Sequence, residues 1–242
     1  MQQQKRMVQP DYSQSDLDTA SHCQLFKNVS THELRVLLTC FQINEIICKE
    51  KQLIFQAGAP QSSLGIVMDG EVLVQKDDVT GERLILGTFS RSDVFGEVSA
   101  FSGVERWLNN VVALTDCRIW MIPADRISSP CADSCFAHQT LIRNMLTIVS
   151  QRAVNMNNRI HYLQMKRIRR KLAAFLYDAY VQKGNTTFMV PFNREAMADY
   201  LSVSRPSLSR ELGRMKKEGM IDFYRQAFTI RDLQALRKIK SK

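Results

Sequence analysis

Two stretches of the 242-residue chain carry side chains whose types and spacing can do chemistry. The first is residues 193–212, Asn-Arg-Glu-Ala-Met-Ala-Asp-Tyr-Leu-Ser-Val-Ser-Arg-Pro-Ser-Leu-Ser-Arg-Glu-Leu. Asn193 is placed to cap a short helix with Met197, Ala198 and Leu201 on its apolar face, Ala198 being small where a second helix must cross closely. Residues 202–204 make the turn, and Val203 plugs the core beneath it. Ser204 caps the second helix, whose first turn accepts Pro206 because no N–H partner is needed there. Leu208 and Leu212 face inward, leaving Arg205, Pro206, Ser207, Ser209, Arg210 and Arg214 outward, with Lys216 and Lys217 one turn on. Such a helix presents its N-terminal residues to base edges in a major groove, and arginine suits the N7 and O6 of guanine. Arg205 and Arg210 are therefore the candidate base contacts. Ser207 and Ser209 are candidates for base or phosphate, and Lys216 and Lys217 for phosphate. The bland alternative is a helical hairpin with solvated arginines.

The second stretch is residues 89–100, Phe-Ser-Arg-Ser-Asp-Val-Phe-Gly-Glu-Val-Ser-Ala, preceded by Met68-Asp69-Gly70-Glu71. Gly96 permits a tight turn, and a short helix after it offers N–H groups to an anion. Glu97 can accept from a ribose hydroxyl. Metal chemistry finds little support. No histidine lies between Glu33 and Ala137, so the β-rich region lacks the ligands of a cupin-like oxygenase, and no metal site and no enzymatic activity are expected. The six cysteines (Cys23, Cys40, Cys48, Cys117, Cys131, Cys135) are scattered and read as free thiols. Cys131 and Cys135, at i and i+4, are either a redox pair or an idle one.

The elements that must position these groups follow from patterning. Residues 1–24 are polar and expected to fray. Ser30 and Glu33 form a capping box for a helix carrying Leu34, Leu37, Leu38 and Phe41. Short β-rich runs follow at 43–47, 53–55, 64–67, 72–74, 84–86, 111–114 and 118–122, separated by turn signals, as in a double-layered antiparallel roll. The period then turns helical over 136–163, roughly 40 Å at about 1.5 Å per residue. Leu141, Met145, Val149, Arg152, Met156, Ile160 and Leu163 form a coiled-coil-like stripe that calls for a parallel homodimer, with Arg152 setting register. A helix near 166–182, two short helices, a small wing at 220–230 and a closing helix complete the chain.

Charge separates the two halves. Residues 164–242 hold 18 Lys and Arg against 7 Asp and Glu, a net +11, whereas residues 1–163 carry 15 and 17, a net −2. A polyanion partner is thus expected for one domain only. No run approaches the ~20 apolar residues of a membrane span and no signal-peptide h-region follows Lys5 and Arg6, so a cytoplasmic protein without a membrane partner is expected.

The order of parts resembles the Crp/Fnr family of bacterial transcription regulators over nearly the whole chain. Residues 204–210 (Ser-Arg-Pro-Ser-Leu-Ser-Arg) and residues 89–100 carry the resemblance. It implies an α+β fold: an N-terminal double-stranded β-helix or jelly-roll of the cyclic-nucleotide-binding type, a long dimerisation helix and a C-terminal winged helix-turn-helix. The expected boundaries are 1–24 for an extension, 25–134 for the sensor roll, 135–164 for the dimerisation helix and 165–242 for the DNA-binding domain. The implied partners are pseudo-palindromic double-stranded DNA, a second copy of the chain, a small-molecule effector and, for an activator, RNA polymerase. The implied effector site is Gly70, Phe95, Gly96, Glu97, Val98, Ser99, Arg106 and Trp107. In cyclic-nucleotide binders an Arg-Ser or Arg-Thr pair neutralises the phosphate, and here that pair falls on Trp107-Leu108, with Arg106 adjacent. The effector is therefore expected not to be cyclic AMP, leaving a different small molecule or a redox signal. A single cysteine near the start does not supply the four ligands of an iron–sulfur cluster, and the roll holds no histidine for haem, so neither cofactor is expected. Pro206 stands where the cyclic-AMP-responsive type has a glutamate, which implies a different half-site. The hinge is expected near residues 163–167. The competing reading is a cyclic-nucleotide-binding regulatory protein acting without DNA.

Overall fold

The computed structural model describes residues 12–77, 83–129, 136–190 and 192–241, and the backbone of a strand at Lys5–Met7. The chain divides between Gln151 and Arg152 into two compact units. The expected turn signals within 78–82 and the pair Cys131 and Cys135 lie outside the described residues.

The first unit runs β1 (Lys5–Met7), α1 (Gln14–His22), a 3-10 turn (Gln24–Phe26), α2 (Thr31–Cys40), β2 (Asn44–Cys48), β3 (Leu53–Phe55), β4 (Ser63–Asp69), β5 (Val72–Asp77), β6 (Arg83–Phe89), β7 (Val94–Phe95), α3 (Glu97–Phe101), β8 (Asn110–Ala113), β9 (Cys117–Pro123) and α4 (Ala124–Ser128). It ends in the first part of α5 (Phe136–Gln164). One sheet has the order β1-β2-β9-β4-β7 and the other β3-β8-β5-β6, all pairings antiparallel. The period-2 alternation sorts side chains to two cores. Ile46, Val67, Val72, Phe95, Trp107, Val111 and Ile119 fill the roll interior. Trp120 and Ile122, on the opposite face of β9, pack with Leu17, Leu34, Leu37, Leu38 and Phe41 beneath the helices. Gly65 is required where β4 crosses Phe95, since a Cβ there would meet that ring at 2.3 Å.

From Tyr12 onward the N-terminal segment is packed rather than frayed. Ser13 and Asp16 form a capping box for α1, and Leu17 and Ala20 are buried. The partners that hold it are distant in sequence. Asp16 accepts from Arg118 Nη2 at 2.5 Å, Arg118 Nη1 reaches Glu45 at 3.0 Å, and Trp120 Nε1 also donates to Glu45. The Tyr12 hydroxyl donates to the Leu38 carbonyl, and its ring lies 5.1 Å from that of Trp120. Local polarity suggested disorder because none of these partners is local.

The second unit begins within α5 and continues through α6 (Ile168–Lys183), β10 (Thr187–Met189), α7 (Arg194–Leu201), α8 (Arg205–Lys217), β11 (Ile221–Tyr224), β12 (Ala227–Ile230) and α9 (Leu233–Ser241). Its sheet has the order β10-β12-β11. Leu172, Leu176, Met197, Leu201, Leu208, Leu212, Met215, Phe228 and Leu236 make its core.

Helix α5 forms as expected, but the stripe read from sequence is shifted in its first half. Leu141 and Met145 are 0% and 5% exposed and belong to the core of the first unit with Ile148. They are therefore not available to a second chain. Beside the exposed Val154 runs a row of outward apolar positions, Ile142, Leu146, Ala153, Met156, Ile160 and Leu163, with Val149 half-buried. These recur at alternating steps of four and three, a strict heptad seam. Val149, Met156, Ile160 and Leu163 keep their expected place. Leu141, Met145 and Arg152 give way to Ile142, Leu146 and Ala153, because two apolar stripes lie side by side here and periodicity does not say which one the chain buries against itself. The last turns of α5 pack with the second unit. Tyr162 and Met165 are buried in the second unit's core, on either side of the exposed Leu163 and Gln164.

Candidate nucleic-acid interface and sensor site

Asn193 Oδ1 accepts from the Ala196 amide at 2.8 Å and starts α7. Ser202, with φ of 51°, turns the chain, and Val203 packs partly buried beneath. Ser204 accepts the Ser207 amide and starts α8, with Pro206 in the first turn. Leu208, Leu212 and Met215 are fully buried, which leaves Arg205, Pro206, Ser209, Arg210, Arg214 and Lys217 exposed. Ser207 is half-buried and organises the start of this surface. Its hydroxyl accepts from Ser204 Oγ at 2.8 Å and from Arg210 Nη2 at 3.1 Å. Lys216 is placed differently from the phosphate contact expected of it. Its ammonium sits 2.6 Å from Asp222 and 5.2 Å from the centre of the Phe223 ring, and so ties α8 to the wing strand β11. The same contact holds the Asp222 carboxyl below its ordinary range.

Several supports escaped the sequence reading. Arg169 on α6 reaches Glu211 at 3.2 Å and also pairs with Glu218, gripping α8 at its middle and its end. Glu218 holds the Arg169 guanidinium charged, and Glu218 itself lies below its usual range for the same reason. Lys171 is buried and donates to the Leu201 carbonyl at 2.8 Å, closing the C-terminal end of α7. Burial pulls its ammonium below the usual lysine range. Arg194 lies 4.7 Å and 4.9 Å from the Phe223 and Phe228 ring centres, which fixes the start of α7 against the wing. The one sequence signal was Lys171 itself, a cation set directly before the apolar run at 172–176.

In the roll the structure brings together only part of the expected effector site. Gly96 has φ of 78°, and a Cβ there would meet the Trp107 indole at 2.8 Å. Trp107 is 4% exposed and stacks on Phe55 with ring centres 4.2 Å apart. Phe95 lies in the same cluster, 6.3 Å from Trp107. Glu97 and Ser99 are buried, Ser99 Oγ accepts from the Leu108 amide, and Val98 is exposed. The position that the family resemblance gives to an anion's cationic partner is therefore an indole whose outer ring edge abuts the glycine turn. Arg106 does not compensate, since its Nη1 donates to the Gly58 carbonyl at 3.0 Å on the exposed side. Gly70 is not part of this cluster. It packs on Asp116 and Cys117, and it follows the end of β4, five residues after Gly65, the residue paired with Phe95. No group of three or more metal-ligating side chains occurs among the described residues, and no helix there is long and apolar enough to cross a membrane.

A capped helix-turn-helix, a wing and a clamp on the second helix define a DNA-binding protein, and the antiparallel roll gives it a sensor-type domain. The Cyclic nucleotide-binding domain family matches residues 45–134, and the Crp-like helix-turn-helix domain family matches residues 170–239, together about two thirds of the chain. The "Anaerobic regulatory protein" of Pasteurella multocida is 26% identical over 205 residues, covering 81% of this chain and 73% of that protein. The "Fumarate and nitrate reduction regulatory protein" of Escherichia coli K12 is 25% identical over 208 residues, covering 82% and 81%. In fold, the chain is similar to a CooA mutant from Carboxydothermus hydrogenoformans (TM-score 0.59, 19% identity, 96% and 99% covered) and to FixK2 from Bradyrhizobium japonicum (TM-score 0.56, 17% identity, 83% and 98% covered). The chain belongs to the Crp/Fnr family of DNA-binding transcription regulators.

Proposed function

We propose that the chain acts as a cytoplasmic homodimer, without enzymatic activity, whose roll senses a signal other than a cyclic nucleotide and whose paired α8 helices read a pseudo-palindromic operator. The observation that carries it is the outward face of α8, where Arg205 and Arg210 stand exposed on a helix anchored through Leu208, Leu212 and Met215. Arg205 and Arg210 read base edges, Ser209, Arg214 and Lys217 meet base or phosphate, and Asn193, Ser204, Pro206 and Ser207 shape the helix starts. Lys216 holds the wing against α8. The seam of α5 from Ile142 to Leu163 pairs two copies and sets the recognition helices about 34 Å apart, one turn of the duplex. The domain boundaries are 1–24, 25–134, 135–164 and 165–242, with the last turns of the dimerisation helix carried by the DNA-binding unit. Trp107 against Gly96 supports excluding a cyclic phosphate, because the space and the cation it needs are both absent there. RNA polymerase is a partner where the operator position makes the protein an activator.

A genomic-fragment selection with purified protein, run beside Arg205→Ala and Arg210→Ala, tests this reading. Wild type recovers a pseudo-palindrome and each variant loses about 1–3 kcal/mol at one base position. Equal enrichment of unrelated fragments by all three proteins refutes it.

A further inference from the structure

Two cysteines outside both sites described above lie side by side on neighbouring strands of one sheet of the roll. Cys48 closes β2 and Cys117 opens β9, and they are direct partners in the last rung of that antiparallel ladder. Both are free, both are buried, and both belong to the interior cluster. Paired residues of an antiparallel ladder have Cα atoms about 4.5 or 5.5 Å apart, depending on the rung, with side chains on the same face. Either spacing falls within the roughly 4.4–6.8 Å range of a disulfide. We propose that Cys48 and Cys117 are a thiol-oxidation site, closed to a disulfide by a hydroperoxide, through which the sensor roll reads oxidant stress. This deepens the proposed function and rests on the roll being the sensor.

The chemistry balances. One sulfur attacks the peroxide O–O bond, giving a sulfenic acid and releasing the alcohol, or water if the oxidant is hydrogen peroxide. The second sulfur then displaces the sulfenic hydroxyl as water. Two S–H bonds and one O–O bond are broken, one S–S and two O–H bonds form, and two electrons pass from the thiols to the peroxide.

The surroundings set the threshold. Burial, and secondarily the neighbouring Cys117, push the Cys48 thiol up to about 11. The Cys117 thiol donates to the Glu71 and Thr115 carbonyls, 3.1 Å each. Cys48 is thus held as a thiol, and because both cysteines are buried, reaction requires the strand ends to open. The pair sits at the terminal rung of the ladder, beside the Gly70 turn, where fewer pairings have to break than in the middle of a strand. A small uncharged oxidant is the class that reaches it. The bridge ties the end of β2 to the start of β9, the strand that leads into α4.

The test is peptide mass mapping of the full-length protein, as wild type, Cys48→Ser and Cys117→Ser, treated with graded hydrogen peroxide. Affinity for the selected operator is measured on the same samples. A peptide joining Cys48 to Cys117 that has lost two hydrogens, is reversed by dithiothreitol and is absent from both variants supports the site. Mapping of wild type does not depend on either variant folding. A peroxide dose that oxidises the exposed Cys40 but leaves Cys48 and Cys117 as thiols overturns it, as does a bridge confined to Cys131 and Cys135. A severalfold change in operator affinity on bridging is expected. A bridge that leaves affinity unchanged overturns the sensing role. A bridge in a protein that binds no DNA in either state overturns the regulator reading instead, leaving the oxidation site standing.

Discussion

Replacing Leu146 and Leu141 separately by alanine distinguishes the seam of α5 from its anchor. Leu146 is 64% exposed in one chain, and Leu141 is 0% exposed. Full burial of a leucine is worth about 1.5–3 kcal/mol, and a symmetric seam loses the contact twice. With two thirds of each side chain still to bury, and part of it retained by alanine, Leu146→Ala weakens the dimer by about 2–3 kcal/mol, or about 30- to 150-fold in dissociation constant. Its effect on the isolated roll is small. Leu141→Ala instead opens a cavity among Leu34, Leu38 and Met145, at about 2–5 kcal/mol of stability and a melting point about 5–15 °C lower. The assays are sedimentation over a concentration series for the dimer, and thermal unfolding for the roll. The thermal scans are run well above the dissociation constant, so that mass action does not mix the two readouts. If Leu141→Ala dissociates the dimer at an unchanged melting point, while Leu146→Ala leaves it intact, the seam assignment is refuted.

Two further outcomes follow from named contacts. Arg169→Gln removes the cation that Glu211 and Glu218 share, while Arg214 stays 3.6 Å from Glu211. Operator binding weakens as one positive charge fewer offsets Glu211 and Glu218 near the phosphates, and retention of full affinity in a salt titration would argue against the clamp. For Asp16, burial works upward but the hydrogen bonds from Ser13 and Arg118 outweigh it, so its carboxyl titrates below the ordinary aspartate value. A depressed folded pKa stabilises docking above that ordinary value, and the contribution is lost as pH falls through the folded one. Protection factors of the α1 amides, with the intrinsic pH dependence of exchange divided out, should therefore be high at neutral pH and fall below about pH 4, and protection that persists unchanged to pH 3 contradicts the Asp16–Arg118 anchor.

Much of the architecture was local and therefore legible. The Ser30–Glu33 and Asn193 caps form as the sequence predicts, as do the short alternating strands of the roll and the Ser204–Pro206 start of α8. Each depends on residues within one turn or one strand. The outward face of α8 was readable for the same reason, since Leu208 and Leu212 fix which side is buried.

The remainder was decided by partners far apart in the chain. Sequence gave two adjacent apolar stripes on α5, but only the packing of Leu141, Met145 and Ile148 against α2 and β9 decides which stripe is left for a second copy. Composition made residues 1–24 look frayed, while the Asp16–Arg118–Glu45 network orders α1 across about a hundred residues of chain. Trp107 looked like a missing phosphate ligand, and the tertiary structure shows what it does instead: its ring fills the space beside Gly96. The facing of Cys48 and Cys117 depends on strand register, which spacing along the chain does not encode. Sequence determined the elements and their inner faces because those are set by period and capping. Tertiary structure determined which faces meet, because that depends on contacts that no local window contains.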